Sequence, residues 1–248
     1  MASKYSLQKT EPGRAWDQSV EASPNGTMFS LTDYLESCGC RFELLQCLKG
    51  QEKRALIALA LNEEGECIND DLLIYNGIMY CPPTTNQNLS QQISEQFKLQ
   101  EFVSEALAER YSRVEMSLHP SLVDVRAFLW HNYGEEKQKY EMNLRYTSHV
   151  RIDDLSSSEN LDDVETYSNG SMSRRQQIRY AIQKSYRVEL VMDTPKFMEL
   201  YTMTMSRQEV EVQSKVIQRM KGLMDLLLEK GKGLLYACYD EEGALGSM

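Results

Sequence analysis

Five basic side chains in the middle of the chain have a spacing that suits anion binding. They are Arg174, Arg175, Arg179, Lys184 and Arg187, and no acid lies between them. The stretch SMSRRQQIRYAIQ has apolar residues at helical intervals, and Ser173 with Gln176 predicts a capping box at the helix start. Free amides at a helix start and arginine side chains together form phosphate or carboxylate sites. The sequence therefore predicts that Arg174, Arg175, Arg179 and Lys184 bind an anionic substrate.

The segment just before this basic stretch gives it a second interpretation. Residues 153–169 contain six acids and no base, with few apolar side chains to bury. This composition predicts a solvated connector between domains. It also offers the arginines carboxylate partners, so the alternative interpretation is an exposed basic face that pairs with the connector.

Four aromatic residues at the ends of predicted elements are candidates for an acceptor pocket. They are Tyr75, Tyr80, Trp130 and Tyr146. Aromatic side chains line ligand pockets, but they more often pack in the core or at its rim, and both roles stay open. His131 and His149 are possible general bases without a recognisable acid or nucleophile nearby. No catalytic residue is assigned from the sequence.

The cysteines and histidines lack the paired spacing of a metal site, so no metal is expected. Six cysteines are present, and Cys38-Gly39-Cys40 is the only close pair. Structural zinc needs two such ligand pairs, whereas scattered thiols are typical of a reducing compartment. The expectation is free cysteines in a cytoplasmic protein. The start of the chain, which lacks an apolar signal core, agrees with this location.

Composition limits the classes of partner. The chain has 248 residues, of which 42% are apolar and 26% charged, and a formal net charge of −10. Such a charge argues against DNA binding, which needs a broad basic surface. No apolar run is long enough for a membrane span.

Periodicity predicts a mixed α/β fold. In the first part we expect a short helix from Trp16, a turn at Ser23–Gly26 and a second helix near Ser30 or Thr32. The predicted strands lie at 42–48, 55–61, 72–81, 113–118 and 139–153, with helices at 88–111 and 123–133. Because two predicted strands are adjacent, a strict βαβ repeat is excluded.

The last part of the chain predicts the beginning of a second unit. A strand at 186–192 precedes a helix that begins at Asp193-Thr194-Pro195 and a long amphipathic helix through Met224. A strand at 233–240 and a hairpin turn at 241–243 follow, and a partner strand begins at Ala244. We therefore expect a first domain at 1–152, an acidic connector at 153–172 and the start of a second domain at 173–248, truncated within that domain.

The order of several motifs resembles the FemAB-like acyltransferases, which have two tandem GNAT-like domains. The motifs are WDQSVEASPNGTMF (16–29), LLIYNGIMYCPP (72–83), SRRQQIRYA (173–181), FMELYTMTMSR (197–207) and LLYACYDEEGALGS (234–247). Each motif is degenerate, and their order and spacing carry the resemblance over nearly the whole chain. It implies one complete GNAT-like domain and the first part of a second.

This resemblance implies the transfer of an acyl or aminoacyl group to an amine. The donor would be an acyl-CoA or an aminoacyl-tRNA, so that tRNA is an expected partner. The acceptor would be a small molecule or a lipid- or nucleotide-linked precursor of the bacterial cell envelope. The loop that binds the CoA pyrophosphate in the GNAT pattern would follow the strand that begins at Ala244. Two alternatives stay open: a non-catalytic GNAT-like binding module, and a small-molecule enzyme with a parallel α/β sheet.

Overall fold

The computed structural model describes residues 4–83 and 87–248, in two compact units. Residues up to Met142 and Gln213–Leu226 form the first unit, and Asn143–Val212 and Leu227–Met248 form the second. The predicted limits of 1–152, 153–172 and 173–248 stay a prediction. Residues 1–3, which belong to the N-terminal stretch used to predict location, lie outside the described residues.

An antiparallel sheet is the centre of the first unit. Its strands are β1 (Tyr5–Thr10), β2 (Arg41–Lys49), β3 (Glu52–Leu61), β4 (Cys67–Ile68) and β5 (Gly77–Tyr80). The order is β1-β2-β3-β4, and β5 also pairs with β3. Strands β2 and β3 confirm the predictions at 42–48 and 55–61, and β3 is buried from Ala55 to Ala60 because its run is apolar throughout. Strand β1 was not predicted.

Four helices accompany this sheet: α1 (Arg14–Ala22), α2 (Thr32–Ser37), α3 (Leu89–Arg110) and α4 (Arg126–Leu129). The prediction of a long helix at 88–111 is confirmed. Asn88 and Gln91 form its capping box, with two reciprocal hydrogen bonds of 3.0 Å. The buried face of α3, which includes Leu99, Val103 and Leu107, packs into the core of this unit.

Three predicted strands are shorter or absent. At 72–81 only β5 forms, because the chain turns where Leu73 donates to the Asp70 carbonyl and Gly77 takes a φ of 98°. At 113–118 a single parallel bridge, Val114 to Cys67, replaces the strand. Residues 139–152 have no regular structure, because nearly all their alternating apolar side chains are exposed and find no sheet to cover.

The second unit contains a three-stranded antiparallel sheet, in the order β6 (Arg187–Leu190), β7 (Tyr236–Tyr239) and β8 (Leu245–Ser247). Its helices are α5 (Glu165–Ser168), α6 (Met172–Gln183) and α7 (Thr194–Arg207), and α8 (Ser214–Glu229) extends over both units. The predicted helix start is confirmed, since Asp193 accepts a hydrogen bond from the Lys196 amide. The predicted hairpin turn is confirmed by the bond from Asp240 N to Ala244 O.

Candidate functional site

The basic helix α6 begins two residues earlier than the sequence predicted. Ser171 accepts the hydrogen bond from the Arg174 amide at 3.3 Å, so that Ser173 lies within the first turn. Arg174 occupies the position where the predicted capping box placed Gln176. The predicted cap was therefore wrong: Ser171, with a φ of −57° and a ψ of 150°, is the N-cap, and it directly follows the turn that ends α5 at Gly170.

The four basic side chains proposed as an anion site have different surroundings. Arg174 and Lys184 are exposed. Arg179 donates to Asp162 at 2.9 Å, and its guanidinium carbon lies 6.0 Å from the centre of the Tyr167 ring. Arg179 is therefore paired with the acidic segment, as the second interpretation expected.

Arg175 differs from the other three because part of its guanidinium is enclosed. Its side chain is half-buried beside Gly170. The Nε of Arg175 is buried and has no hydrogen-bond partner within the described part of the chain. A buried donor without an acceptor costs about 1–3 kcal/mol, so this nitrogen is a candidate contact for an anionic ligand.

Tyr80 belongs to a buried polar network at the end of β5. Gln100 of α3 donates through Nε2 to the Tyr80 hydroxyl at 2.5 Å and to the Asp124 carbonyl at 2.9 Å. Burial raises the pKa of Tyr80. The Oε1 of Gln100 is buried without a partner among the described residues. Asn25 fixes the strand itself, since its side chain bonds Tyr80 N and Ile78 O, both at 2.9 Å.

Trp130, at the C-terminal end of α4, packs against α3. Its ring packs edge-on against Phe97, with 5.6 Å between the ring centres. The guanidinium carbon of Arg126 lies 5.5 Å from the Phe97 ring and 5.7 Å from the Trp130 ring. Arg126 also donates twice to the Asp124 carboxylate, at 2.8 and 2.7 Å. The result is an exposed cation beside two aromatic faces.

Two of the predicted aromatic residues thus contact the same helix, α3: Tyr80 through Gln100 and Trp130 through Phe97. We name this group the α3–α4 cluster; it comprises Tyr80, Phe97, Gln100, Asp124, Arg126 and Trp130. Four of its members were missed by the sequence analysis, although Phe97 and Gln100 are three residues apart on a predicted helix. That spacing places them on neighbouring positions of one helix surface and is the signal that could have identified them.

The other two predicted aromatic residues lie elsewhere. The Tyr75 ring contacts Phe29 and His119, at 5.9 and 5.2 Å between ring centres. It lies in the turn before β5 rather than on the strand. Tyr146 is 90% exposed in the irregular segment of the second unit. His131 packs edge-on against Tyr140, with ring centres 5.4 Å apart.

A polar cleft that the sequence did not predict lies where the start of α3 faces the sheet. Glu95 accepts hydrogen bonds from Lys49 at 2.6 Å, Arg54 at 2.8 Å and Gln87 at 2.7 Å. Burial alone would raise the pKa of Glu95, but these hydrogen bonds from two cations and an amide lower it to about 2. The carboxylate is thus held in its charged form.

Within residues 4–83 and 87–248, no cluster of three metal-binding side chains forms. In the same ranges, none of the helices has the length and apolar character of a membrane span. Both sheets are antiparallel where they are described. This pairing does not agree with the parallel sheet required by the third interpretation of the sequence.

The antiparallel sheets and their helices form a mixed α/β fold of the Fem/GNAT-like class. The structure is similar to the crystal structure of FemX, with a TM-score of 0.52 and 15% sequence identity. The similarity covers 93% of this chain and 57% of the FemX chain, so the chain spans little more than half the length of that neighbour. No protein-family model and no curated protein sequence matches the chain. The fold-class prediction is confirmed.

Proposed function

We propose that this chain is an N-acyltransferase of the Fem type, which transfers an aminoacyl or acyl group to an amine acceptor in cell-envelope biosynthesis. The observation that carries the proposal is the Fem/GNAT-like fold, which extends over 93% of the chain. The motifs between Trp16 and Ser247 support the same class from the sequence alone. The proposed location is the cytoplasm.

The proposed reaction needs little from the protein beyond orientation and charge stabilisation. The acceptor amine attacks the carbonyl carbon of an ester or thioester, a tetrahedral oxyanion forms, and the alcohol or thiol leaves as the amide bond is completed. Holding the two substrates together and stabilising the oxyanion supply most of the acceleration. This chemistry needs no protein nucleophile, which agrees with the lack of a recognisable catalytic triad in the sequence.

We propose two sets of substrate contacts, one in each unit. In the second unit, Arg174, Arg175, Arg179 and Lys184 would bind the phosphates of a lipid- or nucleotide-linked acceptor. The free Nε of Arg175 supports this role. In the first unit, the α3–α4 cluster would bind a flat ring, because Arg126 and Trp130 present a cation and an aromatic face to solvent.

The donor is tested by supplying both candidates to the purified chain. One reaction contains tRNA charged with radiolabelled amino acids and a nucleotide-linked peptidoglycan precursor, and the other contains labelled acetyl-CoA and the same precursor. Transfer of label from tRNA to the precursor amine is the expected result. Transfer from acetyl-CoA would assign the other donor. Tight binding of the precursor without transfer from either donor would favour the non-catalytic module and contradict the proposal.

The anion contact is tested by titration calorimetry with a phosphorylated sugar nucleotide. Arg175→Ala is the informative variant, because Arg179→Ala also breaks the ion pair with Asp162. Loss of one charge-assisted contact weakens binding about tenfold, equivalent to about 1.4 kcal/mol. Lys196→Ala is the matched control, since this cation is also in the second unit but pairs with Glu199. Equal affinity of wild type and Arg175→Ala would contradict the assignment.

A further inference from the structure

Two thiols meet at the junction between α2 and β2. The chain leaves α2 at Cys38, turns at Gly39 with a φ of 66°, and enters β2 after Cys40. This turn places the sulfurs of Cys38 and Cys40 3.0 Å apart, in hydrogen-bond contact. A left-handed φ is accessible to glycine without strain, so Gly39 is the residue that permits the close approach.

A buried ion pair supports the turn from the other side. Arg219 donates from Nε to the Cys38 carbonyl at 2.6 Å. Its second guanidinium nitrogen binds both carboxylate oxygens of Asp70, at 2.8 and 2.7 Å. The stem of Arg219 also lies over Gly39, where an added Cβ would be 3.6 Å from its Cγ. The cation is therefore held in place beside the two sulfurs.

The two cysteine residues differ in burial. Cys38 is fully buried, whereas Cys40 is half-buried. The hydrogen bond from the Cys40 thiol is the main cause that lowers the pKa of Cys38, to about 7, and Arg219 acts in the same direction. The pKa of Cys40 is raised, because its thiol supplies that hydrogen bond. Cys40 is thus the partly exposed residue of the pair, and its hydrogen bond and Arg219 favour the thiolate form of Cys38.

We infer that Cys38 and Cys40 form a redox-active dithiol, which a low-molecular-weight disulfide such as oxidised glutathione converts to an intramolecular disulfide. In the first step the Cys38 thiolate accepts the Cys40 proton along their hydrogen bond, and the Cys40 sulfur attacks the small disulfide, forms a mixed disulfide and releases a thiolate, which takes the proton from Cys38. In the second step the Cys38 thiolate attacks the Cys40 sulfur and releases the second thiol. The protein loses two protons and two electrons, and the small disulfide gains them. This inference is independent of the proposed acyl transfer.

The test follows the free thiols of the whole chain in glutathione buffers of increasing oxidation. Remaining thiols are alkylated after denaturation, counted by mass spectrometry and located by peptide mapping. We expect the six free cysteines to fall to four, with the bond between Cys38 and Cys40. Six free thiols in the oxidised buffer, a bond between other cysteines, or a mixed disulfide that persists on Cys40 would each overturn the inference.

Variants distinguish the attacking role of Cys40 from the resolving role of Cys38. Cys38→Ser lacks the resolving sulfur, so we expect glutathione to remain attached to Cys40. Cys238→Ser is the control and should leave the bond between Cys38 and Cys40 unchanged. The same titration in concentrated urea measures the contribution of the fold. We expect the folded chain to need at least tenfold less oxidised glutathione for half conversion, and equal requirements would contradict a pair positioned by the structure.

Arg219 is a positioning residue in this scheme. The charged or titratable groups around the Cys38 sulfur are Cys40, Asp70, Arg219 and the Tyr34 hydroxyl. Of these, Arg219 is the cation. Arg219→Gln should therefore move the pH midpoint of the oxidation rate upward, because Asp70 then acts on the thiolate without its counter-charge. A change in rate without a change in this midpoint would assign Arg219 a structural role alone.

Discussion

Arg219 binds both carboxylate oxygens of Asp70, although 149 residues separate the two in the sequence. The side chain of Asp70 is 8% exposed and that of Arg219 is 18% exposed. Both ends of this ion pair belong to the first unit, to which Gln213–Leu226 contributes part of α8. The pair therefore joins a distant segment of the chain to the turn before β5.

Breaking this pair should destabilise the first unit markedly. Asp70→Asn leaves the guanidinium of Arg219 with a neutral partner, and loss of one member of a largely buried pair costs about 2–4 kcal/mol. Urea denaturation measures the free energy of unfolding. Arg113→Gln is the matched control, because Arg113 pairs with Glu115 on an exposed surface, where solvent screens the pair and little loss is expected. Similar losses in the two variants would contradict the proposed difference.

The charge network around Glu95 makes stability depend on pH at the acid end. The pKa of Glu95 is about 2 in the folded protein and about 4.3 in an unfolded chain. The network therefore stabilises the protein fully above about pH 4.5, and this contribution is lost as the pH falls towards 2. Glu95→Gln should lower the free energy of unfolding by about 2 kcal/mol at pH 7, and by about half of that at pH 3.

The control for Glu95 is Glu64→Gln, in the exposed turn between β3 and β4. We expect the free energy of unfolding of this variant to follow the wild type within about 0.5 kcal/mol at both pH values. A loss in Glu95→Gln that is equal at pH 7 and pH 3 would show that charge is not the cause.

Substitutions of Ser171 and Ser173 test which of the two serines begins α6. Ser171→Ala removes the acceptor of the Arg174 amide and should cost about 1 kcal/mol of helix stability. Ser173→Ala should cost little, because Ser173 lies inside the first turn. Hydrogen exchange at the Arg174 amide measures both effects. Faster exchange in Ser173→Ala than in Ser171→Ala would restore the start predicted from the sequence.

Asn25 is predicted to be essential for the position of β5. Its amide nitrogen donates to Ile78 O, and its oxygen accepts from Tyr80 N, 53 and 55 residues away. Asn25→Asp replaces the donor by a buried carboxylate that faces a carbonyl, and we expect a loss of about 2–3 kcal/mol. Asn169→Asp, at an exposed helix end, is the control. Thermal unfolding that is unchanged in Asn25→Asp would contradict this role.

The sequence predicted those elements that depend on local interactions. The helix from Asn88, the apolar run of β3 and the helix that begins at Asp193-Thr194-Pro195 are all short-range patterns, and each forms as expected. The strand at 139–153 failed because alternation shows only that one face could be buried. Whether a neighbouring strand covers that face is decided by the tertiary structure.

The residues of the candidate site also divide into those that the sequence could identify and those that it could not. Tyr80 and Trp130 could be chosen from the sequence because aromatic residues near element ends are typical of pockets. For Gln100 the sequence offers only its three-residue spacing from Phe97 on a predicted helix, and a lone arginine such as Arg126 has no distinctive local pattern. Their roles arise from contacts with Tyr80, Asp124 and Trp130 that only packing creates.

The sequence by itself determined the fold class, the cysteine pair at Cys38 and Cys40, and the basic character of α6. Residue type and short spacing carry this information directly. Only the tertiary structure decided which serine begins α6, that Arg179 pairs with Asp162, and that Arg219 lies beside the two sulfurs. The physical reason is that an ion pair or a buried hydrogen bond depends on distance in space, which the chain sets only when it folds.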